Sequence, residues 1–177
     1  MNRSSLMTRL FLIGIATCVF GINTSAAQNK AEATDSLRYP QEKHLANIKQ
    51  LTFGGDNAEA YWSFDSRKLV FQATRAEWNA SCDQIFIMDT KHPEKPSSIP
   101  DLVSTGKGRT TCAYFMPGNK SVLYASTHIG NESCPHVPPR RDDGKYVWPI
   151  YPDYDIFVAN LKRKNKKQLT NEPGYDA

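Results

Sequence analysis

The run Ala60-Tyr61-Trp62-Ser63-Phe64-Asp65-Ser66-Arg67-Lys68-Leu69-Val70-Phe71 returns later in the chain as Ala113-Tyr114-Phe115-Met116-Pro117-Gly118-Asn119-Lys120-Ser121-Val122-Leu123-Tyr124. Each copy sets an apolar-aromatic run before a turn and an alternating apolar run after it, which is the pattern of a β-hairpin. A single hairpin cannot bury its own apolar face, so a chain that repeats one must pack the copies against each other. This requirement constrains the fold to a stack or a ring of β-units.

The surroundings of each copy enlarge the unit. Asp83-Gln84-Ile85-Phe86-Ile87-Met88-Asp89 follows the first hairpin, and Asp153-Tyr154-Asp155-Ile156-Phe157-Val158-Ala159-Asn160 follows the second. Apolar centres between polar ends predict a third strand in both places. Ile48-Lys49-Gln50-Leu51-Thr52-Phe53-Gly54-Gly55 opens the first unit, Leu102-Val103-Ser104-Thr105-Gly106 more loosely opens the second, and residues 166–177 open a third. Alternation predicts Tyr61 or Trp62 in the first core with Leu69 and Phe71. In the second it predicts Tyr114 or Phe115 with Val122 and Tyr124, and in the third strands Ile85, Ile87, Ile156 and Val158.

A Leu-Thr opening, an aromatic residue before a Ser-Pro-Asp-Gly-like turn, a Lys with an apolar triplet, and an Ile-Phe-x-Met-Asp strand together resemble the TolB-like β-propeller family. Ser63 and Asp65 match the turn in one copy and Pro117 in the other, while Phe64, Ser66 and Met116 depart from it. The resemblance covers residues 45–177 and implies an all-β fold, a partial β-propeller of antiparallel blades with two full units and the start of a third. Propellers use about four to eight blades of about 40 to 45 residues. The expectation is therefore an N-terminal piece of a longer protein. TolB proteins are periplasmic and carry an N-terminal α/β domain, whereas this chain passes from a leader into its first unit.

Residues 1–27 have the form of a signal peptide: Arg3 and Arg9, an apolar run from Leu10 to Gly21, and small residues Ser25-Ala26-Ala27 before Gln28. The apolar run is short against the roughly 20 residues of a bilayer span. The alternatives are an uncleaved anchor and lipid attachment at Cys18, whose context Ile15-Ala16-Thr17-Cys18 approaches a lipobox. The chain is expected to be exported to a periplasmic or extracellular location, with no stable membrane span after cleavage. Residues 28–44, polar and aperiodic, are expected to be a flexible leader. Cleavage removes two of the 22 basic residues and leaves 20 against 18 acidic ones, which is no signature of polyanion binding. The basic run Lys162-Arg163-Lys164-Asn165-Lys166-Lys167 is expected to be a solvated turn, and no nucleic-acid partner is expected. Asn-x-Ser at Asn79, Asn119 and Asn131 marks glycosylation only in a eukaryotic secretory host.

Cys82, Cys112 and Cys134 remain in an oxidising compartment. Cys112 with Cys134 would staple a long insertion to its own unit; Cys82 with Cys112 would link neighbouring units. The insertion, residues 129–152, carries five prolines among its 24 residues. Arg140, Arg141, Tyr146, Trp148 and Tyr151 make it the candidate binding surface for a protein partner or small ligand, since aromatic and Arg side chains give large contact areas. The competing expectation is a loop that only covers a blade edge.

Catalytic chemistry finds little footing. His128, Cys134 and His136 lack the spacing of a closed zinc site, so neither metal nor cofactor is expected. Asp153 and Asp155 could share a face, but carboxylates at a strand end are usually solvated or cap a turn. Gly106-Lys107-Gly108-Arg109-Thr110 lacks the spacing of a phosphate-binding loop and fits a tight turn between units. No Gly-x-Ser-x-Gly nucleophile elbow occurs. The expected function is that of a non-catalytic binding or scaffold module of the cell envelope. The alternative is the substrate-gating propeller of a prolyl-oligopeptidase-type peptidase with its catalytic domain beyond Ala177.

Overall fold

The computed structural model describes residues 37–91, 99–161 and 166–177. The chain divides into two units, Met1–Lys49 and Gln50–Ala177. In the first, the described residues form exposed turns in which the Glu42 carboxylate accepts the backbone N–H groups of His44 and Leu45. Those bonds lower its pKa. The expected signal peptide lies outside the described residues, as do residues 28–36 of the expected leader and residues 162–165 of the basic run.

The second unit is all-β. Strands β1 (Asp56–Trp62), β2 (Lys68–Arg75), β3 (Ala80–Asp89) and β4 (Asp101–Leu102) form one antiparallel sheet in chain order. Strands β5 (Thr110–Phe115), β6 (Ser121–Ser126), β7 (Asp155–Asn160) and β8 (Lys166–Gln168) form a second in the same order. Both repeated hairpins are present and agree in detail. Ser63 and Met116 each donate N–H across the turn, to the carbonyls of Lys68 and Ser121, at 2.9 Å. Ser66 and Asn119 occupy corresponding left-handed positions, with φ of 54° and 56°. That conformation disfavours a side chain such as serine's. In the first turn Ser63 Oγ accepts the N–H of Arg67 and Lys68 and donates to Asp65, which holds the turn closed.

A β-bulge also recurs. Glu59 and Ala60 stand opposite Phe71 alone, and Cys112 and Ala113 opposite Tyr124. Glu59 and Cys112 take φ of 51° and 49°, so the irregularity belongs to the repeat.

The segments expected to open the second and third units instead complete the sheets before them. Leu102 pairs with Phe86 in β4, and Gln168 pairs with Phe157 in β8. The physical reason is a latch just beyond each short strand. Val103 N–H donates to Ile85 O at 2.8 Å and Leu169 N–H to Ile156 O at 2.7 Å. Ser104 Oγ and Thr170 Oγ1 accept the N–H of Ile85 and Ile156, both at 2.9 Å.

The two sheets pack face to face through Val70, Ile85 and Ile87 of the first and Ala113, Phe115, Val122, Tyr124, Phe157 and Ala159 of the second. A smaller cluster of Phe71, Ala73, Ala80 and Phe86, flanked by Trp78, Met88 and Leu102, lies on the other face of the first sheet. Strand β3 is thus buried on both faces, as its unbroken Ile-Phe-Ile run allows. The expected core is corrected at two positions, Ile156 and Val158, and of the alternatives Tyr61 and Trp62 it is Tyr61 that packs against it. Trp62 is 55% exposed while its counterpart Phe115 is 3% exposed, because the sheets meet through the face of Phe115. Ile156 and Val158 are half-buried, and their neighbours Phe157 and Ala159 fill the core. Tyr61 packs at the core margin with its ring centroid 4.2 Å from that of Tyr114.

Two predictions follow from this packing and are read in dilute denaturant melts. Phe115→Ala should cost about 3 to 5 kcal/mol as a core truncation, and Trp62→Ala should stay within about 0.5 kcal/mol as a surface change. Tyr124 Oη is buried with no hydrogen-bond partner among the described residues, and burial pushes its pKa up to about 12. Tyr124→Phe should therefore raise stability by about 1 kcal/mol.

Candidate functional site

Residues 129–152 leave β6 and return to β7 without forming a helix or strand. Their ends are fixed to each other and to both sheets. Gly130 lies so close to Asp153 that a Cβ there would meet Asp153 Cβ at 2.6 Å. Asn131 N–H donates to Thr127 O at 3.0 Å, and Glu132 O accepts the N–H of Gly108 at 2.7 Å. The exposed Lys107 ammonium meets the Glu132 carboxylate at 2.6 Å, a pair that orients more than it stabilises.

Gly106 and Gly108 both have positive φ in the connection from β4 to β5, as a tight turn between units requires. At Gly108 the need for glycine is twofold, since a Cβ would also meet the His128 backbone at 2.8 Å. The side chain of Gln84 spans this turn, donating to Gly108 O at 2.8 Å and accepting Gly106 N–H at 3.0 Å. His128, at the root of the insertion, has its ring 4.5 Å from that of Phe157 and its Nδ1 2.8 Å from Ser126 Oγ. Burial holds its imidazole below the usual pKa.

Cys134 is bonded to Cys82 of β3, with Cα atoms 6.0 Å apart. Neither expected pairing occurs. Cys112 is free and exposed, because it stands at the bulge of β5, whereas Cys82 is only 2% exposed on the strand that the insertion overlies. The bridge thus ties the insertion to the neighbouring sheet and not to its own.

The candidate binding residues separate into two groups. Tyr151 turns inward: its hydroxyl donates to His136 O at 2.7 Å and its ring packs at 6.2 Å from that of the buried Tyr154. Burial raises the pKa of Tyr154. Arg140, Arg141, Tyr146 and Trp148 face solvent. Arg141 is held by a two-point contact with Asp143, at 3.0 and 2.9 Å, which raises its pKa and lowers that of Asp143. Arg140 has no such ion pair among the described residues. Tyr146 is 79% exposed, Val147 and Ile150 close to it in the chain are exposed too, and so is Val137 earlier in the insertion. Trp148 Nε1 donates to Tyr175 Oη at 2.8 Å, and the Tyr175 ring packs edge-on against Tyr154 at 5.4 Å. Tyr175 is the site residue that the sequence pattern missed, because it lay in the segment expected to open a third unit.

Asp153 and Asp155 are engaged separately, Asp153 against Gly130 and Asp155 as acceptor from Gln168 and Thr170. Cys134 is consumed by its disulfide, and among the described residues no group of three or more His, Cys, Asp and Glu side chains could hold a metal ion. No helix among them is long and apolar enough to cross a membrane.

No protein family matches the chain, and no curated protein matches it. Among solved structures, a protein from Agrobacterium tumefaciens assigned as TolB is similar, at 14% identity and a TM-score of 0.42. The alignment covers 66% of this chain and 32% of that one, so the chain spans about a third of that protein's length. The likeness is distant and partial.

Reduction and alkylation test the covalent tether. Of the three described cysteines, native protein should be alkylated at Cys112 alone, and Cys82 and Cys134 should be recovered as one cross-linked peptide by mass spectrometry. Cys134→Ser opens a loop of sequence separation 52 and should cost about 2 to 4 kcal/mol in a thermal or denaturant melt.

Proposed function

We propose that the chain is an exported, non-catalytic β-propeller-type module of the cell envelope that captures a protein partner on its proline-stiffened insertion. The observation that carries this reading is the exposed set Tyr146, Val147, Trp148 and Ile150 beside the arginines Arg140 and Arg141, on a loop anchored at its root and by a disulfide. Exposed apolar side chains scattered singly need no explanation, but consecutive ones on an anchored loop mark a recognition surface. Anchoring matters because a pre-ordered loop loses less entropy on binding. Tyr, Trp and Arg are the side chains most often found to dominate such contacts.

The propeller reading is supported by how the sheets meet. Tyr124 corresponds to Phe71 in the repeat, and Phe157 to Phe86 in the third strand. The second sheet therefore turns toward the first the face that the first turns away from it. Units that pack head to tail generate closed rings or open stacks, and a propeller is the closed form.

The test is site-specific photo-crosslinking of the exported protein in its native envelope. A photoreactive residue replacing Tyr146 should yield a discrete protein adduct, and one replacing Phe64 on a hairpin turn should not. Adding Trp148→Ala should weaken capture about 30-fold, the equivalent of a hot spot of about 2 kcal/mol. Equal labelling at the two positions, or none at Tyr146, would overturn the reading.

A further inference from the structure

Prolines crowd one short stretch of the insertion, Cys134-Pro135-His136-Val137-Pro138-Pro139-Arg140-Arg141. A proline holds its own φ at about −65° and pushes the residue before it into the extended region. From Cys134 to Pro139 every residue except His136 is therefore constrained, as a proline, as the residue before one, or as both. The structure agrees: from Cys134 to Arg141 the chain runs without helix, strand, turn or bend, and without a positive φ. An extended run of this composition that pairs with no strand is a polyproline II segment, which has three residues per turn, a rise of about 3.1 Å per residue and no internal hydrogen bonds.

The segment is pinned near both ends and bare between them. Cys134 is bonded to Cys82, the His136 carbonyl accepts the Tyr151 hydroxyl at 2.7 Å, and Arg141 O accepts the Gly144 N–H at 3.0 Å. Pro135 is half-buried, whereas Val137, Pro138, Pro139 and Arg140 are all exposed. No hydrogen bond among the described residues uses the carbonyls of those four. The two arginines differ in their circumstances. Arg141 is occupied by Asp143, whereas Arg140 makes no ion pair among the described residues. Pro135 and Pro138 stand one polyproline turn apart and Arg140 follows two residues later, a Pro-x-x-Pro-x-Arg spacing.

We propose that residues 137–140 are a polyproline II recognition segment, read by a partner protein that carries an aromatic-lined groove for Val137 and Pro138 and a carboxylate for Arg140. The inference rests on the reading of the insertion as a capture surface, and it specifies what the captured partner must carry. Aromatic grooves take such segments because the ligand is already ordered and little entropy is lost on docking. The pins at Cys134, His136 and Arg141 supply that order here. A carboxylate is the complement of Arg140 because the guanidinium fork donates to it at two points. The rise per residue sets the spacing, with the carboxylate roughly 9 Å along the groove from the Val137 pocket.

Isothermal titration of the purified, oxidised, exported protein tests it, with an SH3 domain that selects Pro-x-x-Pro-x-Arg peptides as the probe. The wild type is expected to bind. Arg140→Ala should bind about tenfold or more weakly, because a charge-assisted contact is lost, and Pro138→Ala should weaken binding as well. Arg141→Ala removes the same charge one residue away and should bind as the wild type does. No binding by the wild type would overturn the inference, and so would an equal loss at the two arginines, which is the behaviour of a polyanion-type contact that reads charge alone. In the native envelope, the adduct captured from Tyr146 should be weakened by Arg140→Ala and unaffected by Arg141→Ala. An adduct indifferent to Arg140→Ala would overturn this inference and leave the capture reading standing, whereas the absence of any adduct would overturn both.

Discussion

The contact of Tyr124 and Phe157 with Val70, Ile85 and Ile87 is the constraint on which the rest of the second unit depends. Each large apolar side chain taken from water there contributes about 1.5 to 3 kcal/mol. It also sets the relative placement of the hairpins. Once the sheets meet through those faces, the rings of Tyr61 and Tyr114 come into contact, the Phe64 N–H reaches Asn119 Oδ1 at 2.9 Å, and Thr111 and Cys112 both donate to Gln72 Oε1. These polar links add register to a contact that the hydrophobic effect makes strong but not directional.

The insertion depends on the same contact. Its disulfide runs from the second sheet's loop to β3 of the first, and Gly108 and Glu132 join the turn between sheets to the loop's root. Both anchors presuppose that the sheets are already in place. The aromatic chain Trp148–Tyr175–Tyr154–Tyr151 then braces the far end of the loop from beneath. The exposed Tyr146 side is therefore held by covalent, hydrogen-bonded and packed supports of different kinds.

Much of this was legible in the sequence, at the level where the signal is local. The echo of Ala60–Phe71 in Ala113–Tyr124 located two hairpins, and the polar-bounded Ile-Phe runs located β3 and β7. Which alternate residues face inward was not legible, because a strand's period of two gives two faces and only the neighbouring sheet decides between them. Phe157 and Ala159 took the core in place of Ile156 and Val158 for that reason. Cysteine pairing was hidden for a related one: Cys82 and Cys134 are distant in sequence, and only the sheet-to-sheet contact brings them together. Tyr146 and Trp148 were singled out by their residue type, with exposure left open against a loop that only covers a blade edge, whereas Tyr175 carried no local sign of its role.

The latches explain why strands as short as β4 can close a sheet. Ile85 is fully buried, and a buried N–H without a partner would cost about 1 to 3 kcal/mol. At this point the two-residue strand β4 has already ended, so its backbone cannot supply the acceptor. Ser104 Oγ supplies it instead and donates its own O–H to Gln84 Oε1 at 2.8 Å, and Thr170 does the same for Ile156 with Asp155 as its acceptor at 3.2 Å. A hydroxyl is suited to this place because it accepts and donates at once. A Val-Ser or Leu-Thr pair is thus the chemical end of each of these two sheets.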